Sequence, residues 1–408
     1  MQPTLSLAMM VRDEEEMLEE ALLSVRDLVD EMIVMDTGSE DRTVEIARDL
    51  GATVSFFEWC DSFSAARNET LKRATGDWVF VLDADERVKG GDRDALHAML
   101  RPSPHFPFQA FLVNVLNVSV DGEPLSSAYG PRVFPNDRRL GYSGLVHNQL
   151  GPLDPADPPL NASYLEDLEI IHLGYDETVY ARRRKSERSL PLIEQALREQ
   201  PDDLAMHLYL GREQMRLQRF DQASVTLLAT VERMCADSSQ DNLLQAAWCN
   251  LLDARRLARL DIQQTIGLGA EGLRRFPKNS DLWSSMAAVL IEGGKPEEAI
   301  RCLLQAKASL DHAWAMDKAR SAALRPWDLD ERLGLAYADA GRYEEAYRSF
   351  SEAIRVRPES SPGWVEALEA TCALAQKVGD EQAIPALQAR LEAFNRAADA
   401  TPDDSSEP

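Results

Sequence analysis

The segment WVFVLDADERV, residues 78–88, runs five apolar residues straight into Asp83, Asp85 and Glu86. Three carboxylates within four residues repel one another, so their surroundings must offset the charge. One reading is a solvated strand end in an acidic protein. The other is a hard divalent cation, because two carboxylates flanking a single residue can share one, and the cation can grip a diphosphate as a Lewis acid. A second charged stretch, YARRRKSER, places Arg182, Arg183, Arg184, Lys185 and Arg188 together. It reads either as a solvated helix start or as a lid whose cations meet a diphosphate, with Lys185 and Arg188 foremost because they lie on adjacent turns.

Residues that act together must be brought together, and the first 90 residues supply a means. LSLAMMV (5–11), EMIVMD (31–36), TVSFFEW (53–59) and WVFVL (78–82) read as strands. Between them, residues 14–29 carry an apolar stripe at helical spacing. A second helix starts at Ser39 as its N-cap and runs to Gly51, and a third spans 63–75. Strand–helix alternation with short links predicts a parallel, doubly wound α/β sheet, in which ligands bind beyond the carboxyl ends of the strands. Val11-Arg12-Asp13, Asp36-Thr37-Gly38-Ser39, Trp59-Cys60-Asp61 and Asp83-Ala84-Asp85 all fall at that edge. From about 90 to 180, strand-like pieces between turns predict an antiparallel extension that carries an acceptor site.

Charge is unevenly distributed. The 408 residues carry a net charge of −25, and residues 1–180 hold 14 Lys+Arg against 33 Asp+Glu. An acidic first half repels phosphates, which argues against nucleic acid or an anionic membrane as the main partner. The five cysteines show neither CxxC pairing nor metal-ligand spacing, which predicts free thiols in a reducing compartment. With no basic n-region and no apolar run near ~20 residues, the expectation is a cytoplasmic chain without a transmembrane segment.

Beyond residue 180 the composition turns helical and repeats. HLYLG (207–211) is followed by Ala223, Leu227 and Thr230; WSSMA (283–287) by Ala299, Leu303 and Ala306; DERLG (330–334) by Ala346, Phe350 and Ala353. The offsets agree in all three. A degenerate copy covers about 249–277, and Trp364 begins a last one 34 residues after Asp330. This pattern resembles tetratricopeptide repeats (TPR), paired antiparallel helices that stack to bury a shared core. Such stacks hold extended peptides, which favours a peptide or protein acceptor, with homodimerisation through the repeats as the competing use. The tail TPDDSSEP reads as disordered.

SLAMMVRDEEEMLEEALLSV, DEMIVMDTGSEDRTVEIA and FSAARNETLKRATGDWVFVLDADERV resemble, in order and spacing, the nucleotide-binding half of family 2 glycosyltransferases with their GT-A fold. With GYSGLVHNQL and IIHLGY the resemblance covers about 180 residues. It implies an α/β GT-A domain over 1–180, a linker or lid helix over 181–200, TPR-like repeats over 201–398 and an acidic tail over 399–408. It further implies a metal-dependent, inverting glycosyltransferase that uses Mn²⁺ or Mg²⁺ and a UDP-sugar, with a peptide, protein or glycan acceptor.

Residue roles follow from the same resemblance. Asp36 would accept from the nucleotide base or else cap its own turn. Val11, Arg12 and Glu14 would line base and ribose. Arg67 would hold the nucleotide, with Asn68 supporting the loop. Asp83 would touch ribose or metal, Asp85 would ligate the metal, and His172 would complete the metal site. His147 falls where the family often shows His-Glu, the Glu being a natural base. Here Asn148 follows, and an amide takes no proton at neutral pH. The base is therefore left to His147, to a nearby Asp, or to an acceptor that needs none. Asn148 also feeds the alternative of a catalytically degenerate domain that serves as a TPR scaffold. A nucleotidyltransferase would need a Gly-rich loop after the first strand, and a dehydrogenase a GxGxxG; the chain has neither there.

Overall fold

The structure is a computed structural model and describes residues 2–101, 107–119, 122, 124–145, 148–173, 185–236, 241–316, 326–357 and 363–400. The tail beyond Ala400 and His147 lie outside the described residues. The described chain divides into two compact units, the first running to Leu217 and the second starting at Gln218. That division falls within the first repeat.

In the first unit the alternation is present. β1 (Leu5–Val11), β2 (Glu31–Asp36), β3 (Thr53–Phe56) and β4 (Trp78–Val81) pair in parallel, linked by α1 (Leu18–Val25), α2 (Thr43–Asp49) and α3 (Phe63–Leu71). The pleat sorts their side chains between two faces. Leu5, Leu7, Met9 and Val11 join Trp78 and Phe80 in a core with Leu18 and Leu22 of α1. Ala8, Val79 and Val81 meet Leu71 of α3 on the other face.

Element ends differ from the sequence expectation because tertiary partners set them. Ser39 is not a cap. Its hydroxyl accepts from the Asp13 N–H at 2.9 Å, and α2 begins four residues later, where Asp41 accepts from the Thr43 N–H at 2.9 Å. α1 occupies only the middle of the apolar stripe, β3 stops at Phe56, and α3 stops at Leu71.

The rest of the unit extends the same sheet. β5 (Glu86–Gly90), α4 (Arg93–Met99), β6 (Gln109–Val118), β7 (Pro124–Pro135) and β10 (Asn161–His172) give the strand order β3-β2-β1-β4-β7-β6-β10-β5. β8 (Leu140–Ser143) and β9 (Gln149–Pro152) form a separate hairpin. The extension is mixed rather than antiparallel: β7 lies antiparallel between β4 and β6, while β10 runs parallel to β6 and antiparallel to β5.

This order constrains the sheet's shape. β4 and β5 are four strand intervals apart, or about 19 Å on a flat sheet. Only residues 82–85 join them, and the five steps from Val81 to Glu86 reach at most about 18 Å when fully extended. The link is not extended, because the Glu86 N–H donates to the Asp83 carbonyl at 3.0 Å. The sheet therefore curls, and the link carrying Asp83 and Asp85 spans the mouth of the curl. α5 (Lys185–Glu199) and α6 (Leu204–Arg216) complete the unit, with Leu192, Ile193 and Met206 packed against Phe63 of α3.

The second unit is helical: α7 (Phe220–Met234), α8 (Asp241–Leu257), α9 (Ile262–Arg275), α10 (Ser280–Glu292), α11 (Pro296–Met316), α12 (Pro326–Asp339), α13 (Tyr343–Val356), α14 (Trp364–Val378) and α15 (Ile384–Ala400). Ala223, Leu227, Thr230, Ala299, Leu303, Ala306, Ala346 and Ala353, read as repeat positions, are almost completely buried. In the degenerate copy the same register falls on Thr265, Gly269 and Gly272, all buried on α9. Small residues let the helices cross closely. A Cβ at Gly334 of α12 would lie 2.5 Å from the Phe350 ring of α13, whereas a Cβ at Gly267 of α9 would meet nothing within 4 Å.

Gly334→Ala is therefore expected to destabilise the repeat unit by about 1–3 kcal/mol through overpacking. Gly267→Ala is expected to be neutral or to stabilise by up to about 1 kcal/mol through helix propensity. Urea unfolding of the full chain, followed by helical circular dichroism, reads both; equal effects would contradict this packing.

Candidate functional site

The residues at the mouth of the curl come from α3, β5, β6, β7, β10 and the 82–85 link. Arg67, on α3, donates from Nη2 to both Asp83 oxygens, at 2.7 and 3.0 Å. Its guanidinium stacks on the Tyr142 ring of β8, 5.4 Å from the centroid. The α3 helix is fastened to that strand by Asn68, whose Nδ2 donates to the Tyr142 carbonyl and whose Oδ1 accepts from the Tyr142 N–H. Asn68 thus holds α3 against the β8 strand.

Glu86, 2% exposed, receives both guanidinium arms of Arg132: Nη1 to Oε2 at 3.0 Å and Nη2 to Oε1 at 2.6 Å. Its Oε2 also accepts from the Asp83 N–H at 2.9 Å. Arg132 lies on β7 and Glu86 on β5, so this fork crosses the hollow of the sheet. Forked guanidinium–carboxylate pairs are directional and strong, which fixes the turn between them. Burial would raise the Asp83 carboxyl, but Arg67 and then Arg132 outweigh it and hold it below the usual carboxylate range. Burial wins at Glu86 and pushes its carboxyl up in spite of Arg132.

Asp85, 7% exposed, faces His172, with 3.4 Å between Oδ1 and Nε2. Strand register aligns His172 of β10 with Glu86 on one side and Asn117 on the other. The Asn117 Oδ1 lies 2.6 Å from His172 Nδ1. With that oxygen as acceptor, Nδ1 carries a proton and Nε2 is the ring nitrogen directed at Asp85, the one that would ligate a metal.

Asp83, Asp85 and His172 are therefore neighbours with different orientations. Asp83 is turned to Arg67, while Asp85 and His172 face each other. Among the described residues no group of three or more His, Cys, Asp or Glu is arranged to hold a metal ion. The donor set fits a cation held by one carboxylate and one imidazole, with the remaining positions left to ligand oxygens. A carboxylate together with phosphate oxygens is how Mg²⁺ binds, and the imidazole adds a ligand that softer divalent ions favour.

The other expected residues are placed as follows. Asp36, 2% exposed, is engaged by its own turn: Gly38 N–H donates at 3.0 Å and Ser39 N–H at 3.1 Å, with Gly38 at φ +108°. The Val11 side chain is in the core and its carbonyl accepts from Thr37. Arg12 is exposed beside Asp13 at 3.7 Å. The Glu14 carbonyl accepts from the Met17 and Leu18 N–H groups and so starts α1. Lys185 opens α5 and Arg188 follows on it, but their side chains lie outside the described set. Asn148 directly precedes β9. Its Nδ2 and the Nε of Arg67 are both shielded from solvent and lack an acceptor among the described residues. An unsatisfied buried donor costs roughly 1–3 kcal/mol, which a ligand oxygen would recover.

Sequence reading missed Arg132, Asn117 and Tyr142. Arg132 stands in an ordinary strand motif 46 residues from Glu86, and only the topology joins them.

Residues 6–145 match the family model Glycosyl transferase family 2, and residues 178–238 match a Tetratricopeptide repeat model. A TPR repeat-containing protein of Synechococcus elongatus is 37% identical over 210 residues, 50% of this chain and 51% of that protein. Glycosyltransferase SunS of Bacillus phage SPbeta is 25% identical over 254 residues, 61% of this chain and 59% of that one. An uncharacterized glycosyltransferase of Rickettsia typhi is 28% identical over 127 residues, 31% of this chain and 43% of that one. The chain spans half to three-fifths of the length of the first two.

The buried fork yields a stability prediction. Arg132→Met strands a buried carboxylate and is expected to cost about 3–5 kcal/mol, whereas replacing both partners by Met recovers most of the loss. Urea unfolding of the two variants decides; a neutral single variant would contradict the fork's role.

Proposed function

We propose, from a family 2 glycosyl transferase domain followed by tetratricopeptide repeats, that this chain is a metal-dependent glycosyltransferase. It moves a hexose from a UDP-sugar to an acceptor, with inversion at the anomeric carbon. The observation that carries the reading is the pairing, 3.4 Å apart, of Asp85 on the link beyond the carboxyl end of β4 with His172 at the end of β10. A bound Mn²⁺ or Mg²⁺ supplies Lewis-acid stabilisation of the departing diphosphate.

The chain's own residues do the rest. Asp85 and His172 offer the two protein ligands, with the imidazole aimed by Asn117. Arg67 keeps Asp83 ionised and has its Nε left for a donor oxygen. Glu86 and Arg132 hold the link rigid, so that these groups need not reorganise during reaction. Asn148 offers a hydrogen-bond donor in place of a base, which suits orienting the acceptor or a donor hydroxyl. No helix among the described residues is long and apolar enough to cross a membrane. All five cysteines are free thiols, which supports a reducing, cytoplasmic setting. The helical repeats are the natural holder of a peptide or protein acceptor.

A second reading, a nucleotide-sugar-binding scaffold without turnover, is favoured by Asn148 alone. UDP release from a panel of UDP-sugars with Mn²⁺ separates the two. Turnover is expected, and Asp85→Ala is expected to lower it by ~100-fold or more, the loss of several kcal/mol of charge stabilisation. Donor binding without release would favour the scaffold; release indifferent to Asp85→Ala would sink the proposed site. Separately, Asn117→Leu is expected to weaken Mn²⁺ binding in the presence of UDP by ~10–100-fold, read by electron paramagnetic resonance. Unchanged affinity would remove Asn117 from the metal site.

A further inference from the structure

The repeats hold a cavity unrelated to the site above. α9 and α11 each pack against α10 and leave a groove of about 560 Å³ between them. Its floor is apolar, made by Leu273 of α9 with Met286 and Leu290 of α10. Besides Leu273, α9 contributes the small side chain of Ala270 to this face, which leaves the space beside it unfilled. Trp283 forms a fixed aromatic wall, its indole N–H donating to the Pro277 carbonyl at 2.8 Å. Cys302 adds no charge to the lining, since burial pushes its thiol up to about 11.

The rim has the opposite character. Arg274 of α9 and Arg301 of α11 both line the groove. Among the described residues neither has a carboxylate within 4.0 Å. Glu298, one turn from Arg301, is instead 4.0 Å from Lys295. In a chain of net charge −25, two guanidiniums with no carboxylate within 4.0 Å outnumber the one carboxylate of the lining, Glu298, and make a local positive site beside the apolar floor. An apolar floor wants a bulky anchor; guanidiniums at its edge want carboxylates beside that anchor.

We propose that this groove docks a polypeptide segment in which one or two bulky apolar residues are flanked by Asp or Glu. The inference does not rest on the glycosyltransferase reading, because it concerns α9, α10 and α11 alone. The anchor side chain lies against Leu273, Met286 and Trp283, and the flanking carboxylates meet Arg274 and Arg301.

The test is fluorescence anisotropy on the full chain with a labelled hexapeptide, Asp-Glu-Phe-Leu-Asp-Glu. Two controls accompany it: one with Ser in place of the apolar pair, one with Asn and Gln in place of the acids. Saturable binding of the first is expected, with each control weaker by about tenfold or more. Ala270→Phe, which fills the groove, and the surface double variant Arg274→Glu/Arg301→Glu are each expected to weaken binding by about tenfold or more. Thermal unfolding checks that each variant is folded, and the double charge variant keeps the test decisive if Ala270→Phe is not. The proposal is overturned if the first peptide does not bind, or if the Ser control binds equally. It is also overturned if both variants bind like the parent chain. A dimer in sedimentation that these variants dissolve, without peptide binding, would assign the groove to a second copy of the chain and overturn it as well.

Discussion

The first unit depends on one contact, the buried fork between Arg132 and Glu86. Its partners belong to strands with two others between them in the sheet order, and they meet because the sheet curls. Burying such a pair is unfavourable unless the geometry is good and the remaining lone pairs are used. Here both guanidinium arms are engaged, and Glu86 also accepts the Asp83 N–H. The carboxylates that raised the first question are thus balanced from two directions. Arg67 takes Asp83, Arg132 takes Glu86, and Asp85 is turned toward an imidazole.

The division of labour among those acids was only partly legible in the sequence. The four strands, their parallel alternation with helices and their polar carboxyl ends could be read, since alternation and short links leave few arrangements. The two ends of β1 and of β2 fell where the apolar runs end. Helix starts were less legible, because a cap is a tertiary partner as often as a local one. Ser39 looked like a cap and serves Asp13 across the sheet edge. Arg132 could not have been ranked above other arginines, since nothing in its neighbourhood announces a carboxylate from another strand. The spacing of Asp83 and Asp85 alone does not tell them apart; the fold does, because α3 delivers a guanidinium to one and β10 an imidazole to the other.

The repeats show the reverse. Their register was readable even in the degenerate copy, where Thr265, Gly269 and Gly272 occupy the positions that hold Ala, Leu and Ala two helices later. Stacked units impose the same steric demand at each crossing, so small residues recur by necessity. The chemistry on the outward faces carries no such demand. The apolar groove between α9 and α11 therefore has no signature in the periodicity that reveals its walls.

The short link from β4 to β5 has a further consequence. Loops ordinarily absorb insertions because their ends are held by the scaffold and their middles are slack. This one acts as a strap between opposite margins of a curled sheet. One added residue would give it about 3.3 Å of slack, uncoupling the two acids from the fork that aims them. Among the loops of this unit, a segment of that kind should be among the least free to change its length.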